Sequence, residues 1–142
     1  MRIALALMAL VLLGGCGSDD GEPASTGPPP PDGVVLDIGF DDGEGQARRA
    51  TLRCAAGRTA ATGYLEDGDP ARLCRSALAL GSLLTRAPPA RRVCTQIFGG
   101  PQTARVTGAL AGTEVDRRFS RHNGCRIAEW DRLQAAGLLP AA

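Results

Sequence analysis

Five cysteines, at positions 16, 54, 74, 94 and 125, constrain this chain more than any other feature. An odd count in an exported protein leaves one thiol to be explained. With Cys16 set aside, Cys54, Cys74, Cys94 and Cys125 form an even set, which outside the cytoplasm reads as two disulfides in a small domain. Four cysteines allow three connectivities, and spacing alone does not choose among them. The competing use of such residues is a metal site. No Cys-x-x-Cys pair occurs and His122 is the single histidine, so zinc would need scattered ligands. We read no metal and no cofactor.

Cys16 is explained by what precedes it. Met1-Arg2 carries one positive charge, and residues 3–13 are an unbroken apolar run ending in Leu13-Gly14-Gly15-Cys16. A basic start, a short apolar core and a small-residue exit describe a secretory leader, too short to span a bilayer comfortably. The exit resembles a bacterial lipobox, in which the cysteine thiol is acylated and becomes the new amino terminus. Residues 1–15 are therefore expected to be a lipoprotein signal peptide. Lipid on Cys16 would tie the chain to the outer face of the cell membrane, because each buried methylene adds about 0.8 kcal/mol of affinity.

Residues 16–33 then read as the lipidated cysteine and a disordered linker. Gly17-Ser-Asp-Asp-Gly-Glu is followed by small residues and Pro28-Pro29-Pro30-Pro31, with nothing large and apolar to nucleate a core. Such a segment reaches roughly 20–25 Å r.m.s. and holds a domain off the membrane. Asp19-Asp20 and Asp41-Asp42 read as solvated charge rather than calcium ligands. Sixteen basic residues face fifteen acidic ones, and Arg2 leaves with the leader, so the processed chain is electrically balanced. That balance argues against a nucleic-acid partner.

The domain is expected over 34–140. Val34, Leu36, Ile38 and Phe40 alternate with Val35, Asp37 and Gly39, the period of a half-buried strand. Asp41-Asp42-Gly43-Glu44-Gly45 turns, and Ala50, Leu52 and Cys54 alternate in a second strand. Residues 55–68 show no period and read as loop. Asp69-Pro70 marks a helix start, aspartate capping free amides and proline suiting the first helical position. Leu73, Ala77, Leu80 and Leu84 continue that helix at helical spacing until Pro88-Pro89. Ala104, Val106, Leu110, Ala111-Gly112, Val115 and Phe119 describe a hairpin. Ile127, Trp130 and the leucines after them form a terminal helix or strand. This order implies an α+β fold, an antiparallel sheet covered on one face by helices.

Residues 51–130 resemble the subtilisin-inhibitor family secreted by actinomycetes. The resemblance rests on Thr51-Leu52-x-Cys54, Cys74 opening an Ala/Leu-rich helix, and Cys94-Thr-x-Ile-Phe98. Val106-Thr-Gly108, Gly112, Val115, Phe119-Ser120 and Cys125 continue it. It covers most of the expected domain, here as a lipoprotein variant. It implies about five antiparallel strands with two helices and sequential disulfides, Cys54–Cys74 and Cys94–Cys125. It also implies, in many members, a homodimer joined through the sheets.

Family members inhibit serine proteases with a rigid, substrate-like loop just after the third cysteine. Position by position, the resemblance makes Val93 P4, Cys94 P3, Thr95 P2, Gln96 P1, Ile97 P1′ and Phe98 P2′. The partner would be a subtilisin-type protease, and the chain itself would not be an enzyme. Thr95 stands where the family commonly has proline, and Gly99-Gly100-Pro101 follows Phe98, so two glycines are expected to loosen the loop. Asn123-Gly124 reads as a turn, with the Asn123 amide a second candidate support for the loop. The alternative function is a membrane-anchored binding module on the same scaffold without inhibitory activity. Ser120 and His122 suggest no hydrolase, since no carboxylate is placed to orient the imidazole.

Overall fold

The computed structural model describes residues 33–141; the expected signal peptide, Cys16 and the expected linker as far as residue 32 lie outside the described residues, as does residue 142. The fold is α+β. Five antiparallel strands, β1 (Val34–Asp41), β2 (Ala47–Ala55), β3 (Arg58–Gly63), β4 (Thr103–Leu110) and β5 (Thr113–Ser120), lie in the order β3-β2-β1-β4-β5. Three helices, α1 (Pro70–Ala79), α2 (Gly81–Thr85) and α3 (Gly124–Ala135), cover one face. The central strand carries the alternation most clearly because it is paired on both edges. Val34, Leu36, Ile38 and Phe40 all point into the core, opposite Leu52 and Ala50 on one side and Val106 and Ala104 on the other.

The core is one cluster in which Trp130 of α3, fully buried, meets Phe40 with ring centroids 6.1 Å apart. The expected helix start is present: Asp69 accepts from the Ala71 amide at 3.0 Å, and Pro70 occupies the first turn. The end differs. The run expected to be one helix breaks at Leu80, whose backbone leaves helical geometry just before Gly81, a weak helix former. The break lets the apolar stripe change partners, α1 lying over β2 and β3 and α2 over β4 and β5. The terminal segment, open between helix and strand in the sequence, is a helix. Asn123 caps it at its start, and at its end Gly137 turns the chain so that the Leu138 amide bonds back to the Leu133 carbonyl at 2.9 Å.

Residues 55–68, expected to be loop, contain edge strand β3. Ala56 and Gly57 both take positive φ, the geometry of a tight hairpin turn, as do Ala111 and Gly112 between β4 and β5. β3 shows no hydrophobic period because its small side chains are almost all exposed. Backbone pairing to β2 and a Thr51–Thr62 hydroxyl contact of 2.7 Å hold it.

The two disulfides pair sequentially, Cys54–Cys74 joining β2 to α1 and Cys94–Cys125 joining the segment before β4 to α3. Such bonds persist in oxidising compartments and mark a protein that folds outside the cytoplasm. Among the described residues no helix is long and apolar enough to cross a membrane.

Candidate functional site

Between α2 and β4 the chain runs from residue 86 to 102 without helix or strand. A structureless stretch of that length in a compact domain is uncommon, and when ordered it is usually functional. Pro88 and Pro89 forbid helix at its start, and Gly99-Gly100-Pro101 forbids it at its end. The apolar residues between have no core position to fill. Val93 is 100% exposed, Ile97 58% and Phe98 65%. Among the described residues the only other large apolar side chain left exposed is Leu78, on α1.

The exposed residues sit on a braced backbone. Cys94 is bonded to Cys125. The Thr95 carbonyl accepts from the Gly124 amide at 3.0 Å, and the Gly99 amide donates to the Arg121 carbonyl at 2.8 Å. Gln96, Ile97 and Phe98 therefore bulge between two fixed points. The Phe98 ring stacks on His122 at 5.9 Å between centroids, and the Gln96 amide folds back to donate to the Cys94 carbonyl at 3.3 Å. One segment, 121–125, supplies the disulfide partner, both backbone contacts and the stacking ring.

Two expectations about this region change. The glycines do not simply loosen the loop. A side chain at Gly99 would come within 2.8 Å of Ile127, so glycine there lets the loop lie close against α3. The same holds opposite, where a side chain at Gly124 would collide with the Thr95 hydroxyl. Asn123 does not reach the loop either. Its Oδ1 accepts from the Arg126 amide at 3.0 Å and caps α3, while its neighbour Gly124 makes the loop contact.

An ionic cluster, with Glu129 and Arg117 buried and Arg92 exposed, lies under the same segment and had no signal in the sequence. Arg92 Nη1 donates to Glu129 Oε1 at 2.6 Å, and Arg92 Nη2 reaches the Cys125 carbonyl at 3.4 Å. Arg117 on β5 approaches Glu129 Oε2 at 3.6 Å and donates through Nη1 to the Arg86 carbonyl. Burial holds the Arg117 pKa below its ordinary value, and the Glu129 carboxylate beside it offsets that only in part. Arg117 faces the core among apolar neighbours of β5, a position that its alternation assigns to a hydrophobic residue.

Elsewhere, an open depression of about 1060 Å³ crosses the uncovered face of the sheet, with Arg49, Arg105 and Arg118 around Gly39, and ends near His122. Arg105 is held there by Asp116 through two bonds of 3.0 and 2.9 Å. Asp41 and Asp42 are occupied by turn amides, Asp42 accepting from Glu44 at 2.8 Å and Gln46 at 3.0 Å. Among the described residues no three His, Cys, Asp or Glu side chains stand close enough together to hold a metal ion. No protein-family model matches the chain, and no curated protein sequence matches it.

Proposed function

We propose that this protein is an extracytoplasmic inhibitor of subtilisin-type serine proteases, presenting the 93–98 loop as a substrate that is cut very slowly at Gln96–Ile97. The observation that carries the reading is the brace on both sides of that bond. Thr95 on one side and Gly99 on the other are hydrogen-bonded to the single segment that also holds Cys94. A loop ordered before binding loses little entropy in the complex. After cleavage the same contacts would keep the new ends in place, which favours religation over release. The exposed apolar Val93, Ile97 and Phe98 suit a protease groove that takes an apolar P4 residue and apolar primed residues. Gln96 would have to leave its weak contact with the Cys94 carbonyl to enter the P1 pocket.

The reading includes lipid on Cys16, which would confine inhibition to within a linker's reach of the membrane. It also includes a homodimer formed through the uncovered sheet face. Titrating active subtilisin with the chain from residue 17 onward tests the central claim. Stoichiometric, tight inhibition is expected, and replacing Gln96 with methionine or tyrosine should raise potency against proteases that favour those residues. Rapid cleavage at Gln96–Ile97, or no inhibition at micromolar concentration with both disulfides intact, would leave the surface binding module as the better reading.

A further inference from the structure

Glu129 is the one acidic side chain buried among the described residues, with 5% of its surface exposed. It lies four residues after Cys125 on α3, so the two share a helix face. Cys125 holds Cys94, and Glu129 holds Arg92, two residues earlier on the loop's incoming limb. The Thr95 carbonyl bond to Gly124 holds the backbone after Cys94, but on the incoming side the disulfide alone leaves the residues before Cys94 free to swivel. A second attachment on the same helix face removes that rotation. Val93, fully exposed, is then presented from a backbone clamped on both sides. The other carboxylate oxygen faces Arg117, whose guanidinium holds the Arg86 carbonyl where the irregular stretch leaves α2. One carboxylate thus governs both ends of residues 86–92.

We propose that Glu129 is the positioning residue of the 93–98 loop, acting through Arg92 on the loop's incoming limb and through Arg117 on the start of the same stretch. The proposal deepens the inhibitor reading, on which the protease measurement below depends; the measurement of loop order does not depend on it. Glu129 touches no part of a bound protease. Its effect is on how narrowly the backbone from 93 to 96 is held.

Backbone ¹⁵N order parameters of the chain from residue 17 onward test this, with Arg92→Gln, Arg92→Lys and Glu129→Gln as variants. Arg92→Gln removes the ion pair at the surface end and leaves Glu129 matched by Arg117, so the fold survives even where Glu129→Gln proves too damaging. In the parent, the amides of Val93, Cys94 and Thr95 are expected near the rigid value of about 0.85, falling below about 0.6 in Arg92→Gln. Arg92→Lys, which keeps the charge, should restore most of that order. Glu129→Gln should loosen residue 86 as well as 93–95. The sheet amides should stay unchanged in both Arg92 variants. In the presence of subtilisin, cleavage at Gln96–Ile97 should accelerate about tenfold in Arg92→Gln, the scale of freeing one ordered residue. Unchanged loop order in Arg92→Gln, order lost evenly across the sheet, or no restoration by lysine would each overturn the proposal. Rapid cleavage of the parent itself would instead sink the inhibitor reading, and the order parameters would still decide the role of Glu129.

Discussion

The two disulfides offer a comparison in which stability and loop function separate. Cys54–Cys74 has a sequence separation of 20 and Cys94–Cys125 of 31. In the chain-entropy model, closing loops of those lengths is worth roughly 3.3 and 3.7 kcal/mol at 25 °C, a difference smaller than the error of a denaturation curve. Replacing either pair by serine should therefore lower unfolding free energy by about 3–4 kcal/mol, measured by urea titration. The consequences for the loop should differ sharply. Cys54–Cys74 ties β2 to α1, away from residues 93–98, whereas Cys94–Cys125 is the covalent part of the brace. In native buffer, with each variant still mostly folded, subtilisin should cut Gln96–Ile97 rapidly only where Cys94 and Cys125 are replaced. Mass spectrometry of timed digests reads the cut directly. Two results would refute the reasoning. Equal cutting in both variants would mean that cleavage follows global unfolding, and slow cutting in both would mean that hydrogen bonds at Thr95 and Gly99 suffice without the disulfide.

Three further outcomes are expected. Ala56 and Ala111 hold positive φ, which asparagine tolerates better than alanine, so Ala56→Asn and Ala111→Asn should each raise stability by roughly 0.5–1 kcal/mol in thermal or urea unfolding. Gly124→Ala puts a methyl group into the Thr95 hydroxyl; it should speed hydrogen exchange at the Gly124 and Gly99 amides while leaving the β1 amides protected. The Glu44 and Gln46 backbone amides hold the Asp42 carboxyl below its ordinary value of 3.8, and a bond from Arg105 does the same for Asp116. A depressed folded-state pKa contributes stability that is complete above the unfolded-state value and lost as pH falls below it. Stability should therefore decline below about pH 4, and the Asp42→Asn, Asp116→Asn double variant should show a flatter acid limb in urea titrations at successive pH values.

The elements legible in advance were those whose side chains repeat a simple rule. β1 has an inward apolar residue at every second position because it is central and one-sided, and that rule is local. Asp69-Pro70 announces α1 because a cap and a fixed φ act within one turn. β3 stayed hidden because an edge strand of small exposed residues is held by pairing, which leaves no periodicity. The break at Leu80 was equally invisible: the apolar spacing runs unbroken through it, and only the sheet beneath decides which half covers which strands. The disulfide pairing came from family resemblance, since spacing is silent on connectivity.

The same division runs through the candidate site. Family resemblance, rather than local chain chemistry, placed a loop just after the third cysteine. What holds it was decided by partners far along the chain: Gly124 against Thr95, Arg121 against Gly99, and Glu129 beneath Arg92. A glutamate in a helix normally faces water, and an arginine in a strand normally marks the exposed side. Glu129 and Arg117 reverse both habits only because the fold brings them together, where each offsets the other's cost of burial. Composition and spacing determined that this chain makes a small disulfide-tied antiparallel sheet with helices over it; they did not mark the irregular stretch 86–102. Tertiary packing alone decided that the stretch is clamped, and by which atoms, because a clamp is a relation between residues that sequence order keeps apart.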